Sequence, residues 1–201
     1  MAKVIKFPTP DPSPEKFGLQ RVQSKKDMAP EKRQGQLNLF AGGKVVRMNQ
    51  LTHFEEALLH DDQNDKKAAR KHYYKSIEQG EFIADSYCNL GILETQDGNT
   101  SKAIDCFTKS LRYEPRHFES HYNLANLYAD VGNYNLAKVH YEVSIEMEPT
   151  FPNSYFNLGL VLAMSKQFKD AVKALYKYKD MTPSEEHNYT NDLIDKLNSA
   201  G

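Results

Sequence analysis

The feature that most constrains this chain is a repeat at a fixed period of 34 residues. Tyr87-Cys88-Asn89-Leu90-Gly91, His121-Tyr122-Asn123-Leu124-Ala125 and Tyr155-Phe156-Asn157-Leu158-Gly159 succeed one another at that spacing. So do Ala69, Ala103, Ala137 and Ala171, then Tyr73, Phe107, Tyr141 and Leu175, and finally Pro115, Pro149 and Pro183. A period of this length marks stacked supersecondary units, each too small to bury its own apolar face alone. Within one unit the apolar spacing predicts two helices, for example over 84–97 and 100–113. Asp97-Gly98 and Val131-Gly132-Asn133 break the pair, and a proline stops the second helix before the next unit begins. Gly91, Ala125 and Gly159 are small where one helix must approach its partner. Ala103, Ala137 and Ala171 are the matching small residues on the second helix, and Phe107 and Tyr141 fill the space toward the next unit.

Composition divides the chain in two. Residues 1–49 carry 10 Lys+Arg against 4 Asp+Glu, so +6, and five of the nine prolines; the remainder carries 16 against 23, so −7. Prolines at every second position between Pro8 and Pro14 remove backbone donors and favour extended conformations. The expectation is a disordered basic arm over 1–49, because so little apolar surface does not offset the entropy of ordering. Four units follow, at 50–83, 84–117, 118–151 and 152–183. The first is degenerate, with Glu56 in place of leucine and Glu81 in place of proline. Tyr189, Leu193, Ile194 and Leu197 then fall at helical spacing in 184–201, as a cap over the last exposed face requires.

These residues resemble the tetratricopeptide repeat family over about 50–183. The departure is at the family's favoured tryptophan, where Tyr87, His121 and Tyr155 stand. The resemblance implies an all-α, right-handed superhelical solenoid whose first helices line a concave groove holding an extended peptide or a partner helix. Asn89, Asn123 and Asn157 would then form a row of amides, each with two donors and an acceptor for a peptide backbone. Similar ladders occur in the repeat domain of protein O-linked N-acetylglucosamine transferases. The same asparagines equally suit local backbone pairing. Tyr122, Phe156 and Asn126 would add stacking and amide contacts, and Asp85 and Glu119 negative charge at the rim. The family's carboxylate-clamping subgroup uses Lys and Arg along this groove. Asp85, Cys88, Asn89, Glu119 and Asn153 stand there instead, which favours a neutral or basic ligand.

The arm contains Gln36-Leu37-Asn38-Leu39-Phe40, which resembles the bacterial sliding-clamp-binding pentapeptide, Gln-Leu-x-Leu-Phe. Leu39 and Phe40 form an apolar pair worth roughly 1.5–3 kcal/mol each when fully buried. Gln36 can hydrogen-bond at a pocket rim and Leu37 pack beside it. The resemblance implies an adaptor tethered to the clamp in replication or repair; Leu37, Leu39 and Phe40 equally suit a strap folded back on the repeats.

No enzymatic centre, cofactor or metal site is expected. His117 and His121 lie four apart with no carboxylate to complete a zinc motif. Cys88 and Cys106 read as packing residues in a reducing compartment. No apolar stretch approaches the ~18 residues that span a bilayer, and no secretory leader is seen. The expectation is a cytoplasmic interaction scaffold, with direct nucleic-acid binding disfavoured because the arm interleaves few aromatics with its charges.

Overall fold

The computed structural model describes residues 51–200. Helices α1 (His53–Asp62), α2 (Lys66–Glu78), α3 (Ile83–Gln96), α4 (Thr100–Tyr113), α5 (Phe118–Asp130), α6 (Tyr134–Met147), α7 (Pro152–Met164) and α8 (Phe168–Met181) form four antiparallel hairpins. A 3-10 turn (Ser184–Glu186) leads into α9 (His187–Asn198). Among these residues there is no strand. Each helix packs on its sequence neighbours, and α3 also meets α5 and α5 meets α7 across units. The first helices of the hairpins, α1, α3, α5 and α7, therefore form the inner wall of the right-handed solenoid, and their partners α2, α4, α6 and α8 the outer layer.

The repeating residues do the packing. Ala57, Ala69, Ala103, Ala125, Ala137 and Ala171 are wholly buried, as are Tyr73, Phe107, Tyr141 and Leu175. A Cβ added to Gly91 would lie 2.7 Å from Phe107, and one added to Gly159 would lie 2.8 Å from Leu175. These are the close approaches that demanded a small residue. α9 buries Leu193, Ile194 and Leu197 against the last unit while Tyr189 stays exposed.

The turn inside each hairpin is one conformation repeated four times. Asn64, Gly98, Gly132 and Lys166 are spaced by 34 and all have φ between 59° and 77°. Glycine occupies only the middle two, and Lys166 takes the left-handed conformation at a steric cost. The next residue is the helix N-cap. Asp65 accepts from the Ala68 N–H at 3.0 Å and Asn133 from the Leu136 N–H at 3.3 Å, which satisfies donors a helix start leaves open.

Between hairpins a second regularity appears. Ser76, Ser110 and Ser144 on the even helices, and Ser86, Ser120 and Ser154 on the odd ones, are all buried. Ser120 donates to Ser110 at 2.6 Å, and Ser144 pairs with Ser154 at 3.0 Å. The first junction departs from this. Without a proline at Glu81, the link runs through Gly80 (φ 75°) and Phe82 (φ 47°). Ser76 donates to the Glu81 carbonyl at 2.6 Å, and Ser86 Oγ has no hydrogen-bond partner. Ions serve there instead. Arg70 on α2 donates to Glu94 at 3.2 Å, to the Leu93 carbonyl at 3.3 Å and to Asp97, which also takes Lys66 at 2.9 Å.

Candidate functional site

The inner wall is written by four short helices with a biased vocabulary. α1, α3, α5 and α7 contain no lysine or arginine. Acids lie on three of them, including Glu55, Glu56, Asp85, Glu94 and Glu119. The helical lysines and arginines lie on α2, α4, α6, α8 and α9. Among the helices, cations are thus confined to the outer layer and α9, whereas acids lie on both layers.

Asn89, Asn123 and Asn157 are aligned on α3, α5 and α7, and all three are buried. The amides of Asn123 and Asn157 are engaged between units. Asn123 Nδ2 lies 3.7 Å from Cys88 Sγ. Asn157 Nδ2 donates to the Tyr122 hydroxyl and to Asn126 Oδ1, each at 3.1 Å. Asn126 Oδ1 also accepts the Tyr141 hydroxyl. The row expected as an open ladder is in this structure a buried inter-unit network. One acceptor in it is unused: Asn157 Oδ1 has no hydrogen-bond partner.

Tyr122 is buried as well, with the rings of Phe151 at 5.1 Å, Tyr141 at 6.0 Å and Phe118 at 6.2 Å. Burial pushes its hydroxyl up to about 12, so it remains a neutral hydrogen-bonding group. Phe156 is half-buried and lies 5.0 Å from the Tyr178 ring and 6.2 Å from Tyr189. Asp85 and Glu119 are half-buried and Asn153 is exposed.

His117 and His121 do not come together as a metal pair. His117 is the N-cap of α5, and its Nδ1 accepts from the Ser120 N–H at 3.2 Å. Its proton therefore sits on Nε2, which reaches Asp85 at 3.2 Å. Glu119 lies 3.6 Å from the unprotonated Nδ1, beyond a hydrogen bond. His121 Nε2 faces the Pro115 carbonyl at 3.1 Å, and its Nδ1 meets His140 Nδ1 at 2.9 Å. Burial lowers the pKa of both members of that pair, with His140 pushed down to about 4. Cys88 and Cys106 are buried free thiols, pushed up to about 12 and about 11, chiefly by desolvation. Neither has the thiolate character a nucleophile needs.

Two features escaped the sequence reading. His53, Glu56 and His72 converge at the first hairpin. An open cleft of about 510 Å³ lies between α6 and α8 over α7, lined by both signs of charge, among them Lys138, Glu142, Asp170 and Lys173. Gln36, Leu37, Leu39 and Phe40 lie outside the described residues. No described helix is long and apolar enough to cross a membrane.

Paired helices stacked with the same alanines, aromatics and serines at successive junctions define a helical-repeat protein. Residues 84–117 match one model of the tetratricopeptide repeat, and residues 106–138 and 140–173 match another. The chain carries tetratricopeptide repeats over residues 84–138 and 140–173. Its fold is similar to the structure titled MamA RS-1 ArsTM double mutant (TM-score 0.63, 19% identity, covering 71% of this chain and 79% of that one). It is also similar to the first TPR of Spaghetti (RPAP3) bound to the HSP90 peptide SRMEEVD (TM-score 0.54, 17% identity, 58% of this chain and 91% of that one). The solution structure of the first TPR domain of human RPAP3 is a third (TM-score 0.53, 17% identity, 59% and 92%). No curated protein sequence matches the chain.

Proposed function

We propose that the chain is a non-enzymatic interaction scaffold whose inner wall holds an extended, neutral or basic segment of a partner protein. The observation that carries this reading is the absence of cations: the four inner helices have no lysine or arginine, while acids lie on α1, α3 and α5. Complementary charge steers encounter and excludes wrong partners more than it adds affinity. In this reading Asp85 and Glu119 meet the segment's cations at the rim. Phe156 offers a half-buried aromatic surface, and the amides of Asn89, Asn123, Asn126 and Asn157 with Tyr122 lie behind as the polar floor. A tetratricopeptide neighbour binds an acidic HSP90 peptide; this inner wall has the opposite charge preference. Attachment to a sliding clamp through Gln36–Phe40 rests on the motif alone.

The test is to pan a random extended-peptide library over the immobilised full chain. Lysine and arginine should be enriched over aspartate and glutamate. The association rate of a selected peptide should fall about tenfold at low salt in a Glu119→Lys, Asn153→Lys variant, which reverses one charge and adds another, and the difference should shrink as salt is raised. Enrichment of acidic peptides, or of none by a chain shown to be folded, would overturn the reading.

A further inference from the structure

The first hairpin gathers chemistry that the other three lack. His53 and Glu56 stand three apart on α1, so they share a face, and His72 comes from the facing side of α2. Glu56 Oε2 lies 2.8 Å from His53 Nδ1 and 2.8 Å from His72 Nδ1. The three candidate ligand atoms all fall within 4.8 Å of one another. The His53 and His72 rings are 5.5 Å apart, and the His60 ring stacks on His72 at 5.2 Å.

We propose that His53 Nδ1, Glu56 Oε2 and His72 Nδ1 form a binding site for a divalent transition metal of the zinc class, which staples α1 to α2. Two imidazoles and one carboxylate are a donor set that suits zinc, nickel or copper and not magnesium or calcium. Three protein ligands leave room for water in a fourth position. With ligand bonds of about 2.0–2.1 Å, tetrahedral donors sit about 3.3 Å apart. The two 2.8 Å separations to Glu56 therefore need to open by roughly half an ångström, a change within the reach of side-chain torsions.

The supports are rigid. Each histidine is next to a core aromatic, His53 to Phe54 and His72 to Tyr73, both buried and packed at 5.9 Å. Thr52 and Glu55 close a capping box that fixes the first turn of α1 and occupies Glu55, leaving Glu56 to face the imidazoles. The stacked His60 limits rotation of the His72 ring. His72 Nδ1 is buried and makes no well-aligned hydrogen bond, although the Glu56 carboxylate is close. The proton that faces the carboxylate there is the one a metal ion would displace. The place in the fold is apt: this end hairpin is joined to the next without the serine pair of the later junctions, and metal binding adds directly to the folding energy of the elements it bridges.

The experiment uses the full chain, freed of metal with EDTA and titrated with zinc against a chromophoric chelator. Cobalt absorption reports the coordination number. We expect one equivalent of zinc per chain, a rise in Tm reversed by EDTA, and no effect of magnesium or calcium. His72→Ala or Glu56→Gln should weaken zinc binding by at least about tenfold, whereas His121→Ala should not change it. If His72→Ala alters the circular dichroism spectrum, His53→Ala, at the first residue of α1, serves in its place. Absence of saturable binding at 100-micromolar zinc, or equal binding by parent and ligand variants, would overturn the proposal. Neither result bears on the peptide-library test, so the two readings fail independently.

Discussion

Replacing Asn126 with alanine removes an acceptor that two neighbours share. Tyr141, wholly buried, donates its hydroxyl to Asn126 Oδ1, and Asn157 Nδ2 donates to the same oxygen at 3.1 Å. Asn157 keeps its second bond to the Tyr122 hydroxyl; the Tyr141 hydroxyl loses the acceptor it points at. An orphaned buried donor costs about 1–3 kcal/mol, and loss of an ordinary hydrogen bond about 1 kcal/mol. The expected loss is therefore about 2–4 kcal/mol, or roughly 5–15 °C in Tm for a chain of this size. Urea unfolding followed by circular dichroism gives the value, with an unchanged m confirming that only stability moved. The decisive comparison adds Tyr141→Phe, which deletes the orphaned hydroxyl. The double variant should be more stable than the sum of the single effects by about 1–2 kcal/mol. Additivity within about 0.5 kcal/mol would refute the shared-acceptor argument.

Two further outcomes follow from the turns and the buried imidazoles. Lys166 holds φ at 60° where the middle units have glycine, so Lys166→Gly should stabilise the fold by about 0.5–1 kcal/mol, relief of left-handed strain exceeding glycine's entropy in the unfolded chain. A higher urea midpoint checks it, and a lower one contradicts it. His140 is pushed down to about 4 by burial beside His121, so the unfolded chain binds its proton first and stability rises with pH. The contribution should be complete above about pH 6.5 and fade as pH falls toward 4, by about 1–2 kcal/mol once solvent screening of the partly exposed ring is allowed for. His140→Phe should flatten the urea midpoint between pH 7 and 4.5, and an identical slope in both proteins would assign the effect elsewhere.

The parts of the architecture that were legible are those set by one residue type at one spacing. Alanine, glycine and ring positions recur at 34 because each unit meets its neighbour in the same way, and a small residue opposite Phe107 or Leu175 has few substitutes. The left-handed turn was legible at Gly98 and Gly132 but not at Asn64 or Lys166, where the conformation is imposed by its neighbours against local preference. The serine pairs are visible as a period, yet Ser110 meets Ser120 only because an even helix is laid against the next odd one. The asparagine row was readable as a row; its burial and its bonds to Cys88, Tyr122 and Asn126 depend on the pitch of the stack. His53 and His72 lie on the two arms of one hairpin, and no local pattern announces that they meet.

The first junction has a mechanical consequence. Later seams are riveted by hydroxyl pairs sealed from water, which salt does not reach. The seam between α2 and α3 is clasped at its edge by Arg70 and Lys66 on Glu94 and Asp97, with Ser86 idle beneath. Mobile ions loosen such an edge clasp and leave buried rivets intact. Rising ionic strength therefore weakens this seam of the spring more than the two that follow it.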